Sequence, residues 1–167
     1  MKALFTAFLL TTSAAWSVAK VETVPTHGRN LYRRAVAELD GQAGTKEIVG
    51  STYDNRGCAF AGDGTHRWDA LVGGFVFDLT AGDLDGDRRD EVIAASADGS
   101  VYAFSSEGKL RWKHNLHAPV YQVTIAKLDG HTPVILVGGV SREIVVFSAS
   151  GTTLVSKPVD GVVRILR

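Results

Sequence analysis

The sequence predicts an all-β fold, namely a β-propeller segment with about three four-stranded blades and the first strand of a fourth. Three observations predict it: a repeat of about 44 residues, four short apolar segments in each repeat, and no long helical period of apolar residues. A four-stranded repeat of this size matches one propeller blade, which buries its faces only by stacking on other blades. Because a complete ring needs about four to eight blades, the predicted propeller is incomplete.

The repeat is marked by the triplet Leu-Asp-Gly, which occurs at residues 39–41, 84–86 and 128–130. The first two repeats also share an Arg-Trp pair, Arg67-Trp68 and Arg111-Trp112. An exposed tryptophan could stack on a sugar ring. A residue that recurs at one place in successive blades more often fills the contact between blades, so we expect Trp68 and Trp112 to be structural residues at blade seams.

Within each repeat, four short segments read as strands separated by turn residues. The second repeat has them at residues 75–81, 91–96, 100–105 and 109–115, and the third has them at 121–127, 134–138, 143–148 and 153–157. Turn pairs such as Asp98-Gly99 and Glu107-Gly108 supply the positive φ angles that tight hairpins need. Cys58 is a single cysteine among small apolar residues, and we expect it to be a buried strand residue.

The predicted organisation follows from these segments and from the chain ends. It comprises a signal peptide (1–19), a linker (20–30), blade 1 (31–72), blade 2 (73–118), blade 3 (119–160) and the first strand of an unfinished blade 4 (161–167). Further blades would come from a longer chain or from homo-oligomerisation. The sequence stops inside a repeat, which favours a longer chain.

The N-terminus has the layout of a cleavable secretory signal: Met1-Lys2, an apolar run over residues 3–10, and small residues before a cut after Ala19. We therefore expect an exported protein, periplasmic or extracellular. No later stretch approaches the ~20 apolar residues of a membrane helix. Eighteen basic and eighteen acidic residues leave no net charge, and no cluster of Lys and Arg follows a phosphate backbone, so nucleic acid is not an expected partner.

An acidic loop precedes the second strand of repeat two and predicts a calcium site. Asp83, Asp85, Asp87 and Glu91 can offer carboxylates, and the backbone carbonyl of Arg89 can complete the set of oxygen ligands that Ca²⁺ prefers. Without a cation, such close carboxylates repel one another. The alternative is a solvated acidic turn whose side chains only bond the backbone.

The other two repeats carry weaker versions of this loop. Repeat one offers Glu38, Asp40 and Gln42 and has one additional residue before Glu47, which makes it a weak second metal candidate. Repeat three has Lys127 at the first ligand position, so its loop should be a plain turn.

The loop of repeat two resembles the FG-GAP and VCBS repeats, the calcium-loop propeller blades also found in integrin α subunits. The family pattern falls on Asp83, Asp85, Asp87 and Glu91, while Arg88 stands where these loops commonly have glycine. The Ala-Phe and Gly-x-x-x-Trp patterns are also similar to PQQ-like propeller repeats. The resemblance implies a structural calcium ion and a protein-binding or glycan-binding role outside the cytoplasm.

The sequence contains no recognisable catalytic motif, and His114 and His117 are expected to be surface residues. We therefore predict a noncatalytic binding or adhesion scaffold. The alternative is the propeller portion of a secreted carbohydrate-active enzyme, such as a polysaccharide lyase, with catalytic residues outside this chain. A third possibility is an architectural part of an envelope assembly. Fold analogy alone does not choose among them.

Overall fold

The computed structural model describes residues 28–42, 45–127 and 129–166. Within these residues the chain forms twelve β-strands in three four-stranded antiparallel sheets, and the predicted all-β, three-bladed fold is confirmed. The predicted signal peptide and most of the predicted linker lie outside the described residues. None of the described residues belongs to a helix long and apolar enough to cross a membrane.

Each blade is a meander in which the strands pair in chain order. Blade 1 consists of β1 (Leu31–Ala37), β2 (Glu47–Thr52), β3 (Arg56–Phe60) and β4 (His66–Leu71). Blade 2 consists of β5 (Val76–Gly82), β6 (Glu91–Ser96), β7 (Ser100–Phe104) and β8 (Leu110–Asn115). Blade 3 consists of β9 (Val120–Lys127), β10 (Pro133–Gly139), β11 (Glu143–Ser148) and β12 (Thr153–Pro158). The first strands of the blades lie side by side and form the inner edge of the stack.

The hydrophobic core lies between blades. The cluster between blades 1 and 2 contains Ala37, Leu39, Val49, Ala59, Ala70, Val72, Val76, Leu79, Val92, Ala94, Tyr102 and Phe104. The cluster between blades 2 and 3 contains Leu84, Ile93, Ala95, Val101, Ala103, Val120, Val123, Ile135, Val137, Val145 and Phe147. Strand β6 contributes Val92 and Ala94 to the first cluster and Ile93 and Ala95 to the second, and all six of its residues are buried. Because both faces of β6 are covered by neighbouring blades, this strand of the middle blade is apolar along most of its length.

Cys58 is fully buried in β3, where its Sγ lies 3.4 Å from the carbonyl oxygen of Gly50. Burial raises the pKa of this thiol to about 11. The predicted buried strand cysteine is therefore confirmed, and the thiolate form that would make it reactive is disfavoured.

Residues 161–166 continue beside blade 3 without forming a strand. The Leu166 amide donates to Gln122 Oε1 at 3.4 Å, which repeats the bond from the Val123 amide to Asp78 Oδ2 at 3.2 Å. Residues 161–166 thus lie beside β9 in space much as β9 lies beside β5. These contacts agree with the expected start of a fourth blade, which stays a prediction.

Candidate metal centre

The acidic loop of blade 2 joins β5 to β6 and is wound around its own carboxylates. The Asp83 side chain accepts hydrogen bonds from the amides of Gly86 at 2.7 Å and Arg88 at 3.0 Å. The Asp85 side chain accepts one from the Asp87 amide at 3.3 Å. Gly86 and Arg88 have φ angles of +85° and +70°, so the loop turns through the left-handed region twice.

Three carboxylates of the loop converge. Asp83, Asp85 and Glu91 each present an oxygen within 4.8 Å of the others. Glu91 is the first residue of β6 and is buried, and its Oε2 accepts a bond from the Leu84 amide at 3.0 Å. Burial, reinforced by the nearby Asp85 charge, raises the pKa of Glu91. The centre of the cluster is therefore a buried acid held by the backbone.

Asp87 lies outside this converging group. Its carboxylate accepts a bond from the Arg89 amide at 2.7 Å and lies 3.6 Å from the same residue's Nε. The structure thus brings together three of the four predicted carboxylates and pairs the fourth within the loop.

An arginine from the last strand of the blade lies against the cluster. Arg111 Nη1 is 2.8 Å from Asp85 Oδ2 and 2.7 Å from Glu91 Oε1. The hydrogen bond to Arg111 lowers the pKa of Asp85, and the same contact raises the pKa of Arg111. Its guanidinium therefore already offsets much of the negative charge that a cation would neutralise.

Blade 1 repeats this arrangement. Glu38, Asp40 and Glu47 form a second group of converging carboxylates, with Glu47 buried at the start of β2. Arg67 Nη2 lies 2.7 Å from Asp40 Oδ2 and 3.1 Å from Glu47 Oε1. We call the pairs Arg67–Glu47 and Arg111–Glu91 the acid clamps.

Two further contacts complete the loop of blade 1. Glu47 Oε2 accepts a bond from the Leu39 amide at 2.7 Å, as Glu91 does from Leu84. Gln42, the third residue of the weak candidate, donates its backbone amide to Asp40 Oδ1 at 3.0 Å, and hydrogen bonding, first from Gln42 and then from Arg67, lowers the pKa of Asp40. The structure adds Glu47 to the residues that the sequence proposed.

The loop of blade 3 is different. By strand register, Val134 takes the place of Glu47 and Glu91, and Leu154 takes the place of the clamp arginine. The Asp129 carboxylate instead accepts bonds from the amides of His131 at 2.9 Å and Thr132 at 2.6 Å. These bonds lower the pKa of Asp129 to about 2. The described residues of this loop form a plain turn.

The two tryptophans lie at the seams between blades. Trp68 Nε1 donates to the carbonyl oxygen of Ser106 at 2.9 Å, and Trp112 Nε1 donates to that of Ala149 at 3.0 Å. Each indole covers a turn glycine of the next blade, so a Cβ at Gly108 would lie 2.5 Å from Trp68 Cδ2. Each tryptophan therefore binds its blade to the following blade, at the hairpin between that blade's third and fourth strands.

The loop of blade 2 also docks on blade 1. Asp90 Oδ2 accepts a bond from the Glu38 amide at 2.8 Å, and the Asp90 amide donates to the Glu38 carbonyl oxygen at 2.6 Å. Sequence reasoning did not identify Asp90 or the clamp arginines, because each acts on a residue more than 19 positions away.

The donor set fits calcium in its chemistry, because the converging ligands are carboxylate oxygens. Arg111 uses two of the same oxygens, so a cation and this guanidinium would compete for Asp85 and Glu91. The same competition would apply at Asp40 and Glu47. Within each of the two groups three carboxylates converge, an arrangement suited to stabilising the loop.

Residues 47–159 match the family model described as the lambda-carrageenase beta-propeller domain. This match confirms the propeller-repeat part of the sequence resemblance, and it does not show the FG-GAP or VCBS family itself. The sequence matches no curated protein.

Solved structures with a similar fold include two of BBS1N in complex with ARL6DN. One, soaked with lead, has a TM-score of 0.64 at 15% identity, over 79% of this chain and 38% of that chain. The other, soaked with mercury, has a TM-score of 0.65 at 15% identity, over 82% and 43%. The computationally designed Ika8 protein gives 0.58 at 15% identity, over 70% and 35%. The chain thus spans less than half the length of these structures, and the likeness shows the fold alone.

Proposed function

The chain belongs to the family of the lambda-carrageenase β-propeller domain, and on this premise we propose that it is a noncatalytic propeller portion of an exported carbohydrate-active protein. In this role it binds an anionic polysaccharide of the carrageenan class. The family match carries the proposal, because it extends from β2 to the end of β12 and so includes most of all three blades. Carrageenans are sulfated galactans, so a sulfated galactan is the ligand to test first.

A direct test measures binding of the full chain to λ-carrageenan by isothermal titration calorimetry. We expect saturable binding to λ-carrageenan and much weaker binding to a chemically desulfated sample of the same polymer. Equal binding to a neutral galactan would contradict an anionic ligand, and no binding to any of them would overturn the glycan-binding role. Release of new reducing ends during the titration would show catalysis by this chain and overturn its noncatalytic role.

Further blades are the second part of the proposal. Large apolar side chains are exposed at both ends of the stack: Val36 (66%) and Leu71 (67%) on blade 1, and Leu154 (54%) and Ile165 (66%) at blade 3. Such surfaces resemble the inner faces that the blades bury against one another. We propose that more blades of a longer chain, or other copies of this chain, cover them. Mass measurement in solution by light scattering separates the two sources.

Export is the third part. The basic start, apolar run and small residues before position 20 support a cleaved secretory signal. Expression of the full sequence in a secreting host, followed by mass spectrometry of the released protein, should give an N-terminus at Lys20. Retention of an intact N-terminus inside the cell would contradict export.

Calcium is the fourth part, as a structural ion in the loop of blade 2. Asp83, Asp85 and Glu91 support it by their convergence, and the sequence pattern adds Asp87 and the carbonyl of Arg89. The loop of blade 1 is the weaker candidate. A bound ion would add stability by mass action, about 2.7 kcal/mol at a hundredfold excess over its dissociation constant.

Calorimetric titration with Ca²⁺ tests this part. We expect binding that is lost when Asp85→Ala and Asp87→Ala are combined, and that tightens in Arg111→Gln, because this variant removes the competing guanidinium. Asp129→Ala in the loop of blade 3 is the matched control and should bind as the unmodified chain does. Absence of binding in both the unmodified chain and Arg111→Gln would rule out the calcium site.

A further inference from the structure

The inner edge of the blade stack holds a cleft that the acidic loops do not reach. It has a volume of about 290 Å³ and lies where the first strands of the three blades and residues 161–166 come together. We call it the inner-edge cleft. Its lining residues are Tyr32, Arg33, Phe77, Tyr121, Gln122 and Arg164.

Each inner strand has a β-bulge at the same place, and an aromatic residue occupies it. Leu31 and Arg33 pair with consecutive residues of β2, which leaves Tyr32 without a partner. Phe77 in β5 and Tyr121 in β9 are unpaired at the equivalent bulges. Bulges redirect side chains and are common beside functional sites. The repeated bulge therefore places one aromatic ring from each blade along the inner edge.

The rings form a continuous row. Phe77 and Tyr121 meet edge to face with centroids 4.9 Å apart, and Phe75 lies 5.3 Å from Phe77 and 4.8 Å from Tyr32. Rings fixed by such contacts lose little freedom when a ligand stacks on them. The row thus offers a preformed apolar surface to a flat, partly apolar ligand such as a sugar ring.

Two arginines flank the row. Arg33 lies over the Tyr32 ring at 5.4 Å, and Arg164 lies over the Tyr121 ring at 5.5 Å. Arg33 Nε donates to the Phe77 carbonyl oxygen at 3.1 Å, which leaves the terminal nitrogens of its guanidinium for other partners. Both arginine side chains are exposed, as a ligand from solvent requires.

Arg33 has an acidic neighbour, Asp78, whose carboxylate is shared between Arg33 and the backbone of blade 3. Asp78 Oδ1 lies 3.9 Å from Arg33 Nε, while Oδ2 accepts the bond from the Val123 amide. Among the residues that the structure describes, Arg164 has no acidic side chain within ion-pair distance. The cleft is therefore cationic as well as aromatic.

We propose that the inner-edge cleft binds the sulfated galactan chain, with sugar rings packed on the row of aromatic rings and sulfate groups paired with Arg33 and Arg164. Planar guanidinium groups bind oxyanions through two parallel hydrogen bonds, which a neutral galactan does not offer. This inference rests on the proposed function, since that function supplies the ligand class. Trp68 and Trp112 do not take this role, because their indole N–H groups are bonded at the seams.

Variants of the full chain test the cleft against general charge attraction. Arg33→Ala and Arg164→Ala should each weaken binding of λ-carrageenan about tenfold, the loss expected for one charged hydrogen-bonding group. Arg34→Ala removes the same charge from the next residue of β1, outside the cleft, and should change affinity by less than about twofold. Tyr121→Ala should weaken binding of both sulfated and desulfated polymer, because the stacking surface does not depend on sulfate.

A structural role for these residues is separated from a binding role by two further measurements. Arg164→Lys keeps the charge but not the planar group, and we expect it to bind between the unmodified chain and Arg164→Ala. Thermal unfolding of each variant should show a midpoint close to that of the unmodified chain. Weaker binding with a matching loss of fold would overturn the assignment to the cleft.

Two failures are distinguishable. If the unmodified chain binds λ-carrageenan and all the cleft variants bind equally well, the cleft is not the site and the glycan-binding role stands. If the unmodified chain binds no sulfated galactan, the glycan-binding role fails and the cleft assignment fails with it. Equal losses in Arg33→Ala and Arg34→Ala would indicate nonspecific charge attraction and would also overturn the cleft.

Discussion

Blades 2 and 3 have the same four strands in the same order, but they differ at three positions that are matched by register. Blade 2 carries Glu91, Arg111 and Trp112. Blade 3 carries Val134 in place of the glutamate, Leu154 in place of the arginine and Val155 in place of the tryptophan. Blade 1 agrees with blade 2 at all three positions.

In these three blades the glutamate and the arginine of the acid clamp are either both present or both absent. A buried carboxylate without its arginine leaves an uncompensated charge, which is strongly destabilising. Replacing both partners with apolar residues is often neutral, because the desolvation cost of both charges disappears. Val134 and Leu154 are such a replacement. The loop of blade 3 then depends only on the local bonds of Asp129.

The largest effect is expected at the seam tryptophan. Trp112→Ala removes the indole that packs on Phe147 and bonds Ala149, and it should lower the free energy of unfolding by about 3 kcal/mol. Val155→Ala, at the matched position of blade 3, should cost less than about 0.5 kcal/mol, because Val155 is 40% exposed. Urea unfolding measures both. Similar losses of stability in the two variants would show that the tryptophan has no special role at the seam.

The acid clamp should show the next largest effect. Arg111→Ala leaves Glu91 buried and unpaired and should cost about 2 kcal/mol, less than for a fully buried pair because Arg111 is partly exposed. The double variant Glu91→Val with Arg111→Leu copies the residues of blade 3. It should recover most of the stability that Arg111→Ala loses. The exposed pair variant Lys109→Ala is the control and should be nearly neutral. If the double variant is as unstable as Arg111→Ala, then replacing both partners by apolar residues does not remove the cost of losing the arginine.

The smallest effect is a difference in acid titration between the two loops. The folded pKa of Asp129 is about 2, below its unfolded value of about 3.9, so its stabilising effect is complete above pH 4 and is lost as pH falls toward 2. Glu91 has a raised pKa, so its own ionisation opposes folding as pH rises through its titration. NMR titration of the carboxyl carbons should show a pKa below the ordinary value for Asp129 and above it for Glu91. Asp129 titrating at an ordinary value would contradict the bonded turn.

The strands could be predicted closely from the sequence. The segments 91–96 and 143–148 coincide with β6 and β11, and the other predicted strands of blades 2 and 3 end within one residue of the observed ones. Turn glycines explain this success, since residues such as Gly99 and Gly108 require positive φ angles that mark hairpins locally. The fold is therefore encoded in signals that act over a few residues.

The site was less accessible to sequence reasoning. Arg111 reaches Asp85 from 26 positions away, and nothing in the local sequence directs an arginine into an acidic loop. A signal did exist, because Arg-Trp and the buried glutamate occur together in two repeats and are both absent from the third. Asp87 turns away because the path of the loop through Arg88 depends on backbone angles that spacing does not reveal.

The meander order of each blade has a consequence for the kinetics of folding. Every backbone hydrogen bond within a sheet joins strands that are adjacent in the chain, so the strands of a blade can pair as soon as its fourth strand is available. A chain emerging from its N-terminus would therefore fold vectorially, one blade at a time, as repeat proteins do. Each new hairpin then completes a seam by meeting a tryptophan already in position on the previous blade.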